Sequence, residues 1–203
     1  MTETTREAPR TSESNAWLKR YYFTRAAFSL VWVAAASGAA DGMGGVIGAL
    51  LLLYPAWDAV ANLVDAQRNG GVRRNPTQAL NAAVSVVTTC AVAVALTASM
   101  NAVLGVFGIW AALAGLLQLA TAVRRWKSHG AQWPMILSGV QSTLAGVMFL
   151  VQANAPAVPR VTVIVPYAAF GAFYFLVSAV WLAVSDARRQ AAACSSSSSA
   201  SRE

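Results

Sequence analysis

Between Asn75 and Val123 the chain carries no charged residue and reads NPTQALNAAVSVVTTCAVAVALTASMNAVLGVFGIWAALAGLLQLATAV. Because a helix needs about 20 apolar residues to cross the hydrocarbon core of a bilayer, this stretch is long enough for two spans. The polar sequence Ser99-Met100-Asn101 divides it near its middle. The stretch therefore predicts two membrane-spanning helices joined by a short turn.

Similar apolar stretches lie on both sides of this one, and only the first of them carries charges, at Arg25, Asp41 and Asp58. The stretch from Phe23 to Val64 divides at Asp41-Gly42, and two further stretches run from Gly130 to Pro159 and from Val161 to Ser185. The predicted spans cover residues 23–40, 44–65, 78–98, 102–123, 133–151 and 164–185. The predicted fold class is all-α, a polytopic membrane bundle of six transmembrane helices arranged as three helical hairpins.

The composition agrees with a membrane protein. Of 203 residues, 57% are hydrophobic and only 11% are charged, which departs from a soluble domain on both measures. The net charge of +7 would suit nucleic acid if the basic residues shared one face, but they fall in separate short segments. We therefore expect the lipid bilayer as partner and no nucleic acid; the pattern leaves a homo-oligomer possible and names no protein partner.

The positions of the basic residues predict the orientation. All 15 Lys and Arg residues except Arg160 fall on one side of the six predicted spans. Since Lys and Arg in short loops are retained in the cytoplasm, both termini are predicted to be cytoplasmic. Residues 1–15 and the Ser-rich residues 191–203 lack apolar content and are predicted to be disordered, leaving 16–190 as the transmembrane domain. Lys19-Arg20 and the apolar run after it also resemble a secretory signal, but the hydrophilic leader is long for one.

Local signals mark the ends of the predicted helices. Asn75-Pro76 predicts a helix start, with Asn75 as the N-cap and Pro76 in the first turn. Asn69-Gly70-Gly71 predicts a turn before it. The spacing of Gly44 and Gly48 is that of GxxxG, which favours close helix packing in membranes.

The three hairpins resemble one another. An aromatic residue precedes an arginine by fourteen positions in the second helix of each, from Tyr54 to Arg68, from Trp110 to Arg124 and from Tyr174 to Arg188. This spacing predicts a threefold internal repeat.

The segment LYPAWDAVAN, residues 53 to 62, together with the repeated unit and the six-span layout, resembles the HdeD-like short-repeat membrane proteins. The resemblance covers roughly Trp17 to Arg189. It implies a protein of the bacterial inner membrane, linked to acid or envelope stress, and it carries over no catalytic residue.

One face of the second predicted helix is polar. Tyr54, Asp58, Asn62 and Asp65 are spaced by four, four and three residues, which places them on one stripe. Pro55 removes a backbone donor one turn before Asp58 and is predicted to kink the helix. Since an ionisable residue inside a membrane costs about 3 kcal/mol or more, this intramembrane polar cluster is the candidate site for binding a proton or a cation.

A structural interpretation explains the same residues. If the first hairpin folds about Asp41-Gly42, Arg25 lies level with Asp58 and Lys19 lies close to the level of Asp65. Two ion pairs would then account for both acids. The serines and glutamines of the other spans are explained as interhelical hydrogen bonds, among them Ser85, Ser138 and Ser142.

The sequence contains no HExxH, no CxxC pair, no nucleophile elbow and no P-loop lysine motif, and it has a single histidine. No enzyme activity, cofactor or metal is therefore expected. The leading hypothesis is a non-catalytic membrane protein that contributes to stress tolerance. The alternatives are a small transporter or channel that uses Asp58 and Asp65, and a membrane interaction or scaffold protein.

Overall fold

The computed structural model of the protein describes residues 7–39, 44–125 and 133–200. Six α-helices and one 3-10 turn make up the regular structure of these residues. They are α1 (Glu7–Gly38), α2 (Gly44–Arg68), α3 (Pro76–Ala95), α4 (Met100–Arg125), α5 (Trp133–Ala153), the 3-10 turn (Val161–Val163) and α6 (Val165–Ala200). The all-α class is thus confirmed for the described residues, and the predicted turn at Asp41-Gly42 lies outside them.

Five of these helices are long and apolar enough to cross a membrane, namely α2 to α6. Their outward surfaces carry large apolar side chains, and Val87, Val94 and Leu144 are each more than 60% exposed. Such surfaces are stable in lipid and unfavourable in water, so the chain is a multi-pass membrane protein. The first helix, α1, has 32 residues, but Arg25 interrupts its apolar second half. α1 and α6 also extend into the two tails that the sequence predicts to be disordered.

The chain divides into two compact units. The terminal unit comprises residues 1–30 and 170–203, and the central unit comprises residues 31–169. In the terminal unit the Lys19 ammonium lies 2.8 Å from the Asp186 carboxylate. Lys19 therefore pairs with an acid of α6, a partner that the hairpin argument from the sequence does not consider. Because Lys19 and Asp65 belong to separate units, the predicted ion pair between them stays a prediction.

Within the central unit the most extensive helix pairing is between α4 and α5, followed by α2 with α3 and then α3 with α4. The first two of these pairs join successive predicted hairpins. The predicted second hairpin, α3 with α4, is the least extensive of the three. Within the central unit, the helix pairs joined by the basic loops, α2 with α3 and α4 with α5, thus pack more extensively than α3 and α4, the two helices of one predicted hairpin.

Four glycines explain how closely α4 and α5 approach. Gly108 and Gly115 on α4 are seven residues apart, as are Gly139 and Gly146 on α5, so each pair lies on one face of its helix. A β-carbon on Gly146 would lie 2.5 Å from the backbone nitrogen of Ala112 and 2.6 Å from the Gly108 oxygen. The backbones are therefore in direct contact, as small residues allow in membranes.

The GxxxG spacing at Gly44 and Gly48 does not form such a contact. Among the described residues, a β-carbon on Gly44 or Gly45 would meet no atom within 4 Å, and one on Gly48 would meet only the tip of Leu96, at 3.7 Å. The prediction of close packing at this motif is wrong. The spacing of the motif does not show whether another helix packs against that face. In this structure the close backbone contact is made instead by the glycines of α4 and α5.

The loop between α2 and α3 has a defined structure. Gly70 and Gly71 have φ angles of 98° and 94°, in the left-handed region, which confirms the predicted turn. Pro76 starts α3 as predicted. Asn75 occupies the N-cap position as predicted, but its side chain makes no capping hydrogen bond to α3. Its amide instead donates to the carbonyls of Ala66, Asn69 and Gly71, at 2.8–3.2 Å, and closes the end of α2.

A Gly71→Ala substitution is expected to lower the free energy of unfolding by about 1–2 kcal/mol, because an L-residue is strained at positive φ. No atom lies within 4 Å of the position of the new methyl group, so the cost is conformational rather than steric. Gly71→Asn is the matched control, since asparagine tolerates this region better than alanine. Thermal unfolding of the purified variants checks the order. Equal stability of the alanine variant and the wild type would contradict the assigned turn.

Candidate functional site

Asp58 is the centre of a hydrogen-bonded chain that links three helices. Its side chain is half-buried on α2. The Ser85 hydroxyl of α3 donates to Asp58 Oδ2 at 2.7 Å, and the Asn62 amide donates to the same oxygen at 3.0 Å. On the far side, the Trp110 indole N–H of α4 donates to the Ser85 oxygen at 3.1 Å.

These hydrogen bonds give partners to the Ser85 hydroxyl, which is buried in the central unit. Ser85 is 1% exposed and Trp110 is 4% exposed. A buried hydroxyl is stable only if it finds partners, and Ser85 both donates and accepts here. The carboxylate of Asp58 therefore supplies the acceptor on which the packing of α2, α3 and α4 depends.

Tyr54, one turn before Asp58, lies in an aromatic cluster. Its ring centroid lies 4.8 Å from that of Trp32, 5.8 Å from Trp110 and 6.5 Å from Tyr167, and the side chain is 9% exposed. Phe107 and Phe149 extend the cluster through edge-on contacts. These separations are those of directly packed aromatic rings, so the cluster is part of the core.

Pro55 lies inside α2, which continues through it to Arg68. The Trp32 indole donates to the carbonyl of Leu50 at 2.7 Å. This bond holds α1 against the segment of α2 just before Pro55. The predicted helix kink at Pro55 stays a prediction.

A second polar contact joins α4, α5 and α6. The Ser142 hydroxyl of α5 donates to the Ala111 carbonyl at 2.9 Å and lies 3.2 Å from the Tyr167 hydroxyl. The Gln118 amide also donates to the Ser138 hydroxyl, at 3.3 Å. Both contacts are of the interhelical type that the sequence predicts for these residues.

Asp65 lies in a different environment from Asp58. Its carboxylate accepts a hydrogen bond from Asn69 at 2.9 Å and one from Gln78 at 3.3 Å. Asp65 thus stabilises the loop between α2 and α3. It lies about 10 Å further along the helix axis than Asp58, since the two are seven residues apart. The residues of the predicted stripe therefore lie in three different environments, which are the aromatic cluster, the contact of Asp58 with α3, and the end of α2 beside the loop and the first turn of α3.

Arg25, the remaining residue of the predicted cluster, belongs to the terminal unit. Its guanidinium donates to the Tyr21 hydroxyl at 3.0 Å and lies 4.4 Å from the ring centroid of Phe175. An arginine stacked on an aromatic ring is stabilised by a cation–π interaction. Because Arg25 and Asp58 belong to separate units, the predicted ion pair between them stays a prediction.

Spacing on α2 identifies Asn62 as a neighbour of Asp58, but it does not identify Ser85 or Trp110. In the sequence, Ser85 is one polar residue of α3, and Trp110 is the start of a repeated unit. The available signal was chemical, because a buried indole N–H needs an acceptor. Across the described residues, no group of three or more His, Cys, Asp or Glu side chains is arranged to hold a metal ion.

Residues 80–151 match the model of a protein family described as "Short repeat of unknown function (DUF308)". This segment is similar to that short-repeat family. It contains most of α3 and α5 and all of α4, and so includes Ser85, Trp110 and the four packed glycines. The similarity is consistent with the predicted HdeD-like resemblance, although it covers less than half of the chain. No curated protein and no solved structure matches the chain significantly.

Proposed function

We propose that the protein is a non-catalytic, six-span protein of the bacterial cytoplasmic membrane, with both termini in the cytoplasm, that contributes to acid or envelope stress tolerance. The five apolar helices and the short-repeat similarity support the membrane part of this proposal. The HdeD-like residues of α2 support the role in stress. α1 would supply the sixth span, with Arg25 inside it.

The hydrogen bonds of Asp58 support the proposal that the polar residues of α2 stabilise the packing of the helices. A carboxylate in a span is costly, and donors from Ser85 and Asn62 offset that cost. A proton relay needs groups that can both accept and release a proton. On the side of α3 and α4, the hydrogen bonds from Asp58 pass through Ser85 and end at the Trp110 indole, which can only donate. This arrangement favours a structural acceptor over a transport site.

One observation keeps a second candidate open. Asp58 is half-buried inside an apolar helix, and intramembrane acids often mark ion pathways. The alternative is therefore a small proton or cation transporter that uses Asp58 and Asp65. Asp65 is bonded to Asn69 of the loop and to Gln78 of α3, so the two acids have separate hydrogen-bond partners.

Deletion of the gene that encodes this protein in its host is expected to reduce survival after acid shock or after an envelope-damaging treatment. Plasmid-borne wild type should restore survival, and Asp58→Asn should restore it to the extent that the variant accumulates in the membrane. Colony counts together with immunoblots of the membrane fraction provide the measurement. Survival of the deletion strain at the parental level in both treatments would overturn the proposed role.

A further inference from the structure

An apolar groove runs between α3 and α4 on the outer surface of the central unit. Its α3 wall includes Ala83, Val87 and Ala91, and its α4 wall includes Val106, Ile109 and Leu113. The groove has a volume of about 310 Å³. The alanines of α3 are too short to fill the space beside Ile109, which is 55% exposed. The groove therefore forms because small alanines on α3 face larger side chains on α4.

The environment of the groove restricts what can fill it. Both α3 and α4 are long and apolar enough to cross the membrane, so the groove opens toward lipid. Apart from the buried Thr88, the residues that line the groove carry only alkyl side chains, which offer water no partners. The volume is within the range of about 300–1,000 Å³ that is usual for ligand pockets. A hydrocarbon chain suits these properties.

The exposed face of α3 continues from the groove to a pair of arginines. Going toward the start of the helix from Ala83, the next residues on that face are Leu80 and Pro76, and both are exposed. Arg73 and Arg74 come directly before them and are also exposed. Two arginines beside an apolar helix face are complementary to an anionic phospholipid. Each arginine near the membrane surface attracts the negatively charged headgroup.

The loop presents these arginines in a fixed position. Gly70 and Gly71 set the turn, and the Asn75 amide bonds three carbonyls around it. Such a loop requires little ordering when it binds a headgroup, and an arginine can bind phosphate with two parallel hydrogen bonds.

The dimensions agree with one lipid molecule. Along the axis of α3, Ala83 lies about 10 Å and Ala91 about 22 Å from Pro76. One leaflet of the hydrocarbon core is about 15 Å deep. An acyl chain whose headgroup lies at Arg73 and Arg74 would thus reach the groove and follow it to the bilayer centre.

We propose that this surface is a binding site for one anionic phospholipid, with its phosphate at Arg73 and Arg74 and an acyl chain in the groove between α3 and α4. The site rests on α3 and α4 crossing the membrane and is independent of the proposed role in stress. Arg73 and Arg74 would also retain this loop in the cytoplasm without binding a particular lipid. The experiment must separate these two effects.

Native mass spectrometry of the full chain in detergent tests the site, with palmitoyl-oleoyl phosphatidylglycerol added as the anionic probe. Phosphatidylcholine with the same acyl chains is the neutral comparison. The wild type is expected to bind phosphatidylglycerol about tenfold more tightly than phosphatidylcholine. The Arg73→Gln/Arg74→Gln variant should lose this preference and bind both lipids equally. Arg160→Gln, which removes an exposed arginine from the other predicted side, should keep it.

The groove needs its own variants. Ala83→Phe and Ala91→Phe fill it and should each weaken the binding of both lipids, whereas Ala93→Phe, on another face of α3, should not. Thermal midpoints show which variants are folded, and two groove positions keep the test valid if one variant fails. Equal binding of both lipids by the wild type would overturn the proposal, as would an unchanged preference in the double arginine variant. Groove variants that alter the oligomer mass but not lipid binding would also overturn it, in favour of a second copy.

Discussion

A Gly146→Ala substitution is expected to lower the free energy of unfolding by about 2 kcal/mol, the cost usual for overpacking a close contact. This loss would occur although alanine is the better helix former by about 1 kcal/mol. The new β-carbon would lie 2.5 Å from the Ala112 backbone nitrogen and 2.6 Å from the Gly108 oxygen. Backbone atoms cannot rotate away, so α4 and α5 must separate. Gly146→Leu should prevent the two helices from pairing.

Other glycines supply a graded set of controls. At Gly115 a β-carbon would also meet backbone atoms, with the Gly139 oxygen at 2.6 Å, so Gly115→Ala should behave like Gly146→Ala. At Gly105 the nearest atom is the β-carbon of Ala153, at 3.7 Å, and at Gly45 no atom lies within 4 Å. Substitution by alanine at these two positions should leave stability unchanged or raise it slightly.

Thermal unfolding in detergent, followed by size-exclusion chromatography, measures this series. Stability of Gly146→Ala equal to that of Gly105→Ala would show that the close contact of α4 and α5 is absent. All four packed glycines lie within residues 80–151, the segment that matches the short-repeat family.

Asp58→Ala is the second change with a large expected effect. It removes the acceptor of the Ser85 hydroxyl and one of the two acceptors of the Asn62 amide, which also donates to the Asp58 backbone carbonyl. A buried donor left without a partner costs about 1–3 kcal/mol, so the free energy of unfolding should fall by that amount. Asp58→Asn retains a carbonyl oxygen that can accept from Ser85, and it should cost less.

A double-mutant cycle separates the hydrogen bond from other effects of these changes. The losses from Asp58→Ala and Ser85→Ala should not add, and the coupling should lie between about 0.6 kcal/mol, the average for polar contacts between membrane helices, and about 1.7 kcal/mol, the maximum. A second cycle with Asp58→Asn and Arg25→Gln tests the predicted ion pair. Additive losses in the first cycle would contradict the bond between α2 and α3, and additive losses in the second would argue against the pair.

The positions of the helices were accessible from the sequence because they depend on hydropathy and on chain punctuation. Pro76 and the turn at Gly70 and Gly71 mark the boundary between α2 and α3 in both the sequence and the structure. These signals are local and require only the residues that carry them.

The contacts between helices were less accessible because they depend on which faces meet. GxxxG at Gly44 and Gly48 has the spacing of a contact but no neighbouring backbone, whereas Gly108 and Gly146 are far apart in sequence and touch. Lys19 forms an ion pair with Asp186, a partner on α6 that helix spacing within the first hairpin could not identify. For Asp58, spacing on α2 identified Asn62, but it could not identify Ser85 on another helix.

The most direct test of a structural role for Asp58 is proton flux into liposomes that contain the purified chain, driven by a pH gradient and read with an internal pH-sensitive dye. A structural acceptor predicts that wild type and Asp58→Asn give the same flux as protein-free liposomes. Flux well above that background in the wild type, and its loss in a folded Asp58→Asn variant, would contradict this role and identify a transport site.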